Sequence, residues 1–210
     1  MKVLLVNGSP KKEGTTNAAL THAAKSLENE GVCAEIFWIG NQVAGCMACG
    51  GCREAKKCVI DDVVNEFNQK ALEADGFVFA SPVHFAGASG NVTSFLDRAF
   101  YSENYGSGRA SYRLKPAAVV AIARRAGTTA TLDQLVKYPT IAEMPVISAS
   151  YWNIAFGAKA ADIEQDAEGI HTMQVLGKNM AYFIKCIKAG EKSGVQAPEK
   201  TKKPFTNFVR

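Results

Sequence analysis

Residues 2–17 read KVLLVNGSPKKEGTTN, an apolar run that passes directly into a loop of small, hydroxyl and basic residues. The run 2–8 is β-branched and unbroken, as in a strand buried on both faces. The segment from Thr15 to Asn29 places five small or aliphatic residues on one helical face: Ala19, Leu20, Ala23, Ala24 and Leu27. A buried strand, a short loop and an amphipathic helix form the first unit of a parallel α/β sheet.

The same alternation continues along the chain. Further apolar runs predict strands at 33–40, 76–82, 117–123 and 144–150, and the segments between and after them predict helices at 63–74, 91–101, 128–138 and 168–189. Strands joined through helices imply right-handed crossovers. The sequence therefore predicts a doubly wound α/β fold with a five-stranded parallel sheet in the order 2-1-3-4-5.

Composition places the chain among ordinary globular proteins. It has 210 residues, 47% of them hydrophobic, and a net charge of +4, which is too small to indicate nucleic-acid binding. Apolar runs are too short for a signal peptide or a membrane span, so we expect a cytoplasmic protein. We predict one domain over 1–190 and a basic tail over 191–210 that Phe205 and Phe208 anchor, with a neighbouring subunit of a homodimer or homotetramer as a plausible surface.

The loop after the first strand has the composition of an anion site. Free N–H groups at a helix N-terminus favour a phosphate, and the loop adds hydroxyl, amide and ammonium donors from Ser9, Lys11, Lys12, Thr15, Thr16 and Asn17. It has neither the Gly-Lys-Ser/Thr of a Walker loop nor the G-x-G-x-x-G of a dinucleotide fold. A simple N-cap explains Thr15 or Thr16 alone, whereas a mononucleotide phosphate explains the whole loop.

The sequence GSPKKEGTTN (8–17) resembles the phosphate loop of the flavodoxin-like NAD(P)H-dependent FMN reductases. SPVHFAGASGNVTSFLDR (81–98) and IARRAGTT (122–129) are similar to that family's two flavin-ring loops. The resemblance covers roughly residues 1–190 and implies bound FMN with NAD(P)H as substrate. It also implies ring contacts from Pro82, Val83, His84, Phe85 and Gly87 on one side and from Ala123, Arg124 and Gly127 at the pyrimidine edge.

Individual residues of these two loops leave alternatives open. Phe85 can cover a flat ring, and backbone N–H groups near Gly87 can reach its polar edge. His84 is equally consistent with an ordinary surface histidine. Arg124 and Arg125 fit either solvated charges or partners of an anionic flavin or nicotinamide phosphate.

Four cysteines form a compact motif, C-x2-C-x2-C-x5-C, at Cys46, Cys49, Cys52 and Cys58. Four thiols within thirteen residues favour an iron–sulfur cluster over structural zinc, which more often uses two separated pairs. The run is similar to the motif of the iron–sulfur flavoproteins, a branch of the same family, which implies a [4Fe–4S] cluster. Reduced thiols with a structural or redox-sensing role are the alternative. Two other cysteines, Cys33 and Cys186, are predicted to be buried.

Two functions follow from these residues. In the first, FMN takes hydride from NAD(P)H and passes electrons to a quinone, flavin or similar small molecule, with no protein acid or base as a catalytic residue. In the second, the protein is an electron carrier that ferredoxin or a similar partner reduces, and nicotinamide does not bind.

Overall fold

The computed structural model of the chain describes residues 1–201, 204 and 206. Phe205 and Phe208, which were predicted to anchor the tail, lie outside these residues. Six strands form the sheet: β1 Lys2–Asn7, β2 Cys33–Trp38, β3 Gly76–His84, β4 Gly87–Ala88, β5 Ala117–Ala123 and β6 Ile154–Phe156. Five of them run parallel in the order β2-β1-β3-β5-β6, and the short β4 pairs antiparallel with the end of β3. The doubly wound, flavodoxin-like order is therefore confirmed.

Helices cover both faces of this sheet. Seven α-helices lie within the described residues: α1 Thr15–Asn29, α2 Cys52–Ala55, α3 Val63–Glu73, α4 Gly90–Glu103, α5 Thr128–Leu135, α6 Lys137–Ile141 and α7 Ala167–Lys192. Helices α1 and α7 pack on one face over an aliphatic core. Helices α3 and α4 pack on the other face, over a core rich in phenylalanine. No helix in this part of the chain is both apolar enough and long enough to cross a membrane.

The fifth parallel strand lies later in the chain than predicted. Residues 144–150 make only one isolated bridge, from Val146 to Ala117, and the strand that completes the sheet is β6. Buried Asn153 explains the difference, because its amide donates to the carbonyl oxygens of Val119 and Ile147 at 3.1 and 3.3 Å. The Asn153 side chain therefore occupies carbonyl oxygens to which the N–H groups of a continuous strand would have donated.

The helix predicted over 128–138 divides into α5 and α6 near Val136. Pro139 stands in the first turn of α6, where a missing N–H is tolerated, but it cannot continue the hydrogen bonding of α5. Helix α2 and strand β4 were not predicted from periodicity, because four residues and two residues are too short to show it.

Candidate functional site

The loop after β1 is held by its own side chains. Buried Asn7 accepts a hydrogen bond from the Ser9 N–H at 3.1 Å and donates to the Lys12 carbonyl at 3.0 Å. Ser9 Oγ accepts from the Lys11 N–H at 3.1 Å, and Trp38 Nε1 donates to the Ser9 carbonyl at 2.8 Å. These bonds fix the loop's backbone before any ligand binds, and sequence reasoning missed the parts played by Asn7 and Trp38.

Helix α1 begins with polar groups that lack hydrogen-bond partners within the described part of the chain. Its N-cap is Gly14, so no side chain caps the helix, and the N–H groups of Thr15, Thr16 and Asn17 precede its first complete turn. The Thr16 hydroxyl is fully buried, and it has no hydrogen-bond partner among the residues that the structure describes. A buried hydroxyl left unpaired costs about 1–3 kcal/mol. A phosphate at this helix end would accept from these groups together.

The hairpin between β3 and β4 presents an aromatic ring to solvent. Phe85 and Ala86 occupy its two turn positions with φ of 48° and 60°, a conformation that Asn-Gly adopts far more readily. Phe85 is fully exposed, whereas the β4 side of the hairpin is anchored where the Ala88 N–H donates to Gln134 Oε1 at 2.9 Å. Strained, exposed backbone of this kind occurs at ligand sites, and here it aims a flat side chain outward.

Contacts between loops bring the three flavin segments together. Ser89 Oγ donates to the Gly8 carbonyl at 3.1 Å and so joins the hairpin to the first loop. Gly127 has φ of 90°, and a Cβ there would lie 2.6 Å from Ala86 Cα. Only glycine therefore allows the third loop to approach the hairpin this closely.

All predicted flavin residues lie at the carboxyl edge of β1, β3 and β5, where ligands bind in sheets of this type. The first loop carries Ser9, Lys11, Lys12, Thr15, Thr16 and Asn17; the hairpin carries Pro82, Val83, His84, Phe85 and Gly87; the third loop carries Ala123, Arg124 and Gly127. Lys12 Nζ lies 6.0 Å from the Trp38 ring centroid, and Arg124 and His84 are exposed. Their individual contacts with FMN stay predictions.

The four motif cysteines line one small cavity between the 46–60 segment and α4. Cys52 is buried at the start of α2, and Cys46 and Cys49 are exposed at the surface. Burial raises the pKa of the Cys52 thiol, and the nearby thiols of Cys49, Cys58 and Cys46 raise it further. The structure therefore brings the predicted set together around Cys52.

Within residues 1–201, 204 and 206, no group of three His, Cys, Asp or Glu side chains is placed to hold a single metal ion. A four-iron cluster makes a different demand, because its four thiolates bind around a larger inorganic core. The four thiols that line this cavity match the number and kind of ligands that such a cluster requires. Cys33 and Cys186, in contrast, are exposed rather than buried as predicted, since β2 is the sheet's edge strand and the Cys186 side of α7 faces solvent.

A buried arginine supports the last cysteine. Arg98 on α4 has a side chain only 1% exposed, and its Nε and Nη2 each lie 3.3 Å from Cys58 Sγ. Asn65 holds the same cysteine through its backbone, accepting from the Cys58 N–H at 3.1 Å and donating to its carbonyl at 2.9 Å. Sequence reasoning missed both residues. The available signal was a charged residue among the apolar residues Phe95, Leu96 and Ala99 of α4.

The fold defines a flavodoxin-like protein, and its three predicted flavin loops meet at the carboxyl edge of the sheet. Solved structures share this fold. A WrbA-like flavodoxin from Agrobacterium tumefaciens superposes with a TM-score of 0.61 at 16% identity, covering 88% of this chain and 97% of that one. A flavoenzyme NAD(P)H:(acceptor) oxidoreductase from Paracoccus denitrificans gives 0.65 at 15% identity, covering 88% and 97%.

The chain belongs to the NADPH-dependent FMN reductase family, whose sequence profile matches residues 1–159. Its relatives include an iron-sulfur flavoprotein of Methanocaldococcus jannaschii, 31% identical over 90% of this chain and 100% of the relative. An iron-sulfur flavoprotein of Methanosarcina thermophila is 27% identical, over 90% of this chain and 97% of the relative. The resemblance found in the sequence is thereby confirmed.

Proposed function

We propose that this flavin oxidoreductase takes electrons from NAD(P)H through bound FMN and passes them to a quinone, a flavin or a similar small acceptor. The observation that carries the proposal is the buried Thr16 hydroxyl beside the first N–H groups of α1, all without partners in the portion of the chain that the structure covers. That donor set suits a phosphate monoester, and the exposed ring of Phe85 lies on a neighbouring loop of the same edge.

The chain's own residues have separate tasks in this proposal. Thr15, Thr16 and Asn17 bind the phosphate and thereby fix the position of the ring. The hairpin carrying Phe85 covers one part of the ring and excludes water from it. FMN, when bound, supplies hydride acceptance and electron transfer, so no side chain has to act as an acid or base.

We also propose that Cys46, Cys49, Cys52 and Cys58 hold a [4Fe–4S] cluster. Support comes from their convergence on one cavity and from the names of the iron-sulfur flavoproteins that the chain resembles. Such a cluster exchanges single electrons. Six free cysteines and an oxygen-sensitive cluster suit the reducing cytoplasm. Reduced thiols without metal remain the alternative, and a carrier reduced by ferredoxin is the second candidate function.

Anaerobic addition of NADH or NADPH distinguishes the two functions. We expect one of the two nucleotides to bleach the visible absorbance of bound FMN within seconds, because His84, Phe85 and Arg124 are exposed on the loops around the proposed ring site. Stopped-flow absorbance with one equivalent of each nucleotide measures this directly. Dithionite serves as the control for a reducible flavin. Bleaching by dithionite and reduced ferredoxin, but by neither nucleotide, would favour the electron carrier.

We propose a homodimer or homotetramer. Its support is the exposure of large aromatic side chains: the Tyr151–Trp152 pair before β6, whose ring centroids lie 4.8 Å apart, and Phe85 after β3. The described part of the tail contacts its own chain, since Arg113 donates to the Pro198 carbonyl at 3.0 Å. Light scattering of FMN-loaded protein is expected to give two or four times the chain mass. A monomer at micromolar concentration would contradict the proposal, and truncation after Gly190 tests the contribution of the tail.

A further inference from the structure

Arg98 directs its whole guanidinium group at the segment that carries the fourth cysteine. Its Nη1 and Nη2 bind the two carboxylate oxygens of Asp62 at 2.7 and 2.9 Å. Nη2 also donates to the Ile60 carbonyl at 3.0 Å, and Nη1 to the Ala44 carbonyl at 3.3 Å. The remaining contacts, from Nε and Nη2 to Cys58 Sγ, are both 3.3 Å. One buried side chain therefore ties α4 to both ends of the cysteine segment.

The charge of this group is balanced locally. Burial alone would lower the pKa of Arg98, but the hydrogen bonds to Asp62 and Cys58 outweigh it and raise that pKa. Because the Asp62 carboxylate offsets the positive charge, the main influence of Arg98 on Cys58 is directional, through N–H donors aimed at sulfur. Lysine cannot reproduce this arrangement, since it has no planar fork of donors.

We propose that Arg98 is a positioning residue that holds Cys58 in place and makes a cluster bound there easier to reduce. The inference rests on the proposed cluster. Hydrogen bonds to ligating sulfur stabilise the more negatively charged, reduced form, so they raise the reduction potential. The reaction concerned is the gain of one electron by the cluster, supplied by reduced flavin in the protein or by dithionite in a titration.

The first test compares two variants that remove different parts of the contact. Arg98→Lys keeps the positive charge and loses the paired donors to Cys58 Sγ. Asp62→Asn keeps those donors and removes a negative charge. In an anaerobic redox titration we expect Arg98→Lys to lower the equilibrium constant for one-electron reduction of the cluster at least tenfold. This corresponds to a reduction potential lower by about 59 mV or more. We expect Asp62→Asn to leave the potential unchanged or to raise it.

Several results would overturn the inference. If iron-loaded Arg98→Lys protein has the wild-type reduction potential, this inference fails and the cluster proposal stands. The same follows if the reduction potential of Asp62→Asn falls as far as that of Arg98→Lys. Wild-type protein that takes up no iron overturns the cluster proposal together with this inference.

A second measurement needs no variant to fold or to retain iron. Wild-type protein labelled with ¹⁵N-arginine and reduced anaerobically is expected to show magnetic coupling between guanidinium nitrogen and the paramagnetic cluster in pulsed electron paramagnetic resonance. If Arg98→Lys binds FMN but no iron, this coupling decides the matter. Arg53 directly follows Cys52, so labelled Arg53→Lys protein is measured beside the wild type to assign the coupling. Coupling that persists in Arg53→Lys supports the inference, and coupling that is absent, or is lost in that variant, overturns it.

Discussion

Replacing Cys52 with alanine is expected to remove the proposed iron from anaerobically prepared protein and to leave FMN bound. Wild-type protein is expected to contain about four iron atoms and four acid-labile sulfides per chain. Cys52 is the buried member around which the other three thiols gather, so its loss leaves a three-thiol set open to solvent. We expect the iron content to fall to near zero. Colorimetric iron and sulfide assays, with FMN released by heating, measure both cofactors on one sample.

Cys186→Ala is the matched control, because Cys186 lies in α7 and does not line the cysteine cavity. It is expected to keep both iron and FMN. Equal iron in Cys52→Ala and wild type would show that the motif does not hold the metal. A wild-type protein that stays free of iron after anaerobic reconstitution, yet is reduced by NAD(P)H, would be an FMN reductase with free thiols.

Replacing Thr16 with valine and Asn17 with alanine is expected to weaken FMN binding at least a hundredfold. Each charge-assisted hydrogen bond to the phosphate contributes about 1.5–3 kcal/mol, and a tenfold change in affinity corresponds to about 1.4 kcal/mol. Fluorescence titration of the flavin-free protein gives the dissociation constants. Unchanged affinity in the double variant would show that the phosphate binds elsewhere.

The single variant Thr16→Val is expected to weaken FMN binding without destabilising the flavin-free protein. Valine has nearly the shape of threonine and removes a buried hydroxyl without a partner among the described residues, so the free energy of unfolding is expected to stay equal or to rise. Urea unfolding without FMN measures this. Thr21→Val in the same helix is the control for affinity, because the Thr21 hydroxyl already donates to the Asn17 carbonyl at 2.9 Å.

Sequence periodicity predicted the parts of the fold that local patterns determine. Strand β1, helix α1 and strand β5 agree with prediction, since each has an apolar pattern with clear ends. The last strand was placed too early, because the hydrogen bonds of Asn153 depend on residues far along the chain. Val146 and its neighbours have strand-like residues, but tertiary contacts decide which segment joins β5.

The candidate site was likewise predictable from the sequence only in part. Glycine, hydroxyl and cysteine patterns indicated candidate ligand loops, which the structure brings to one edge of the sheet, because those residue types are tied to particular backbone and chemical roles. The turn at Phe85 and Ala86 runs against the usual preference for Asn-Gly, so local propensity could not reveal its shape. Arg98 became recognisable only when α4 was packed against the cysteine segment, forty residues earlier in the chain.

Helix α4 also fixes the distance between two regions of the protein. Ser89 at its N-terminus holds the flavin hairpin, and Arg98 further along holds the cysteine segment. Nine residues of α-helix span about 13.5 Å, and a helix resists stretching because its backbone hydrogen bonds act together. The helix thus acts as a rigid spacer between the two regions. If FMN and a cluster bind at these two regions as proposed, electron tunnelling between them would become steeply slower with distance. Thermal motion of the surrounding loops would then change its rate little while α4 stays intact.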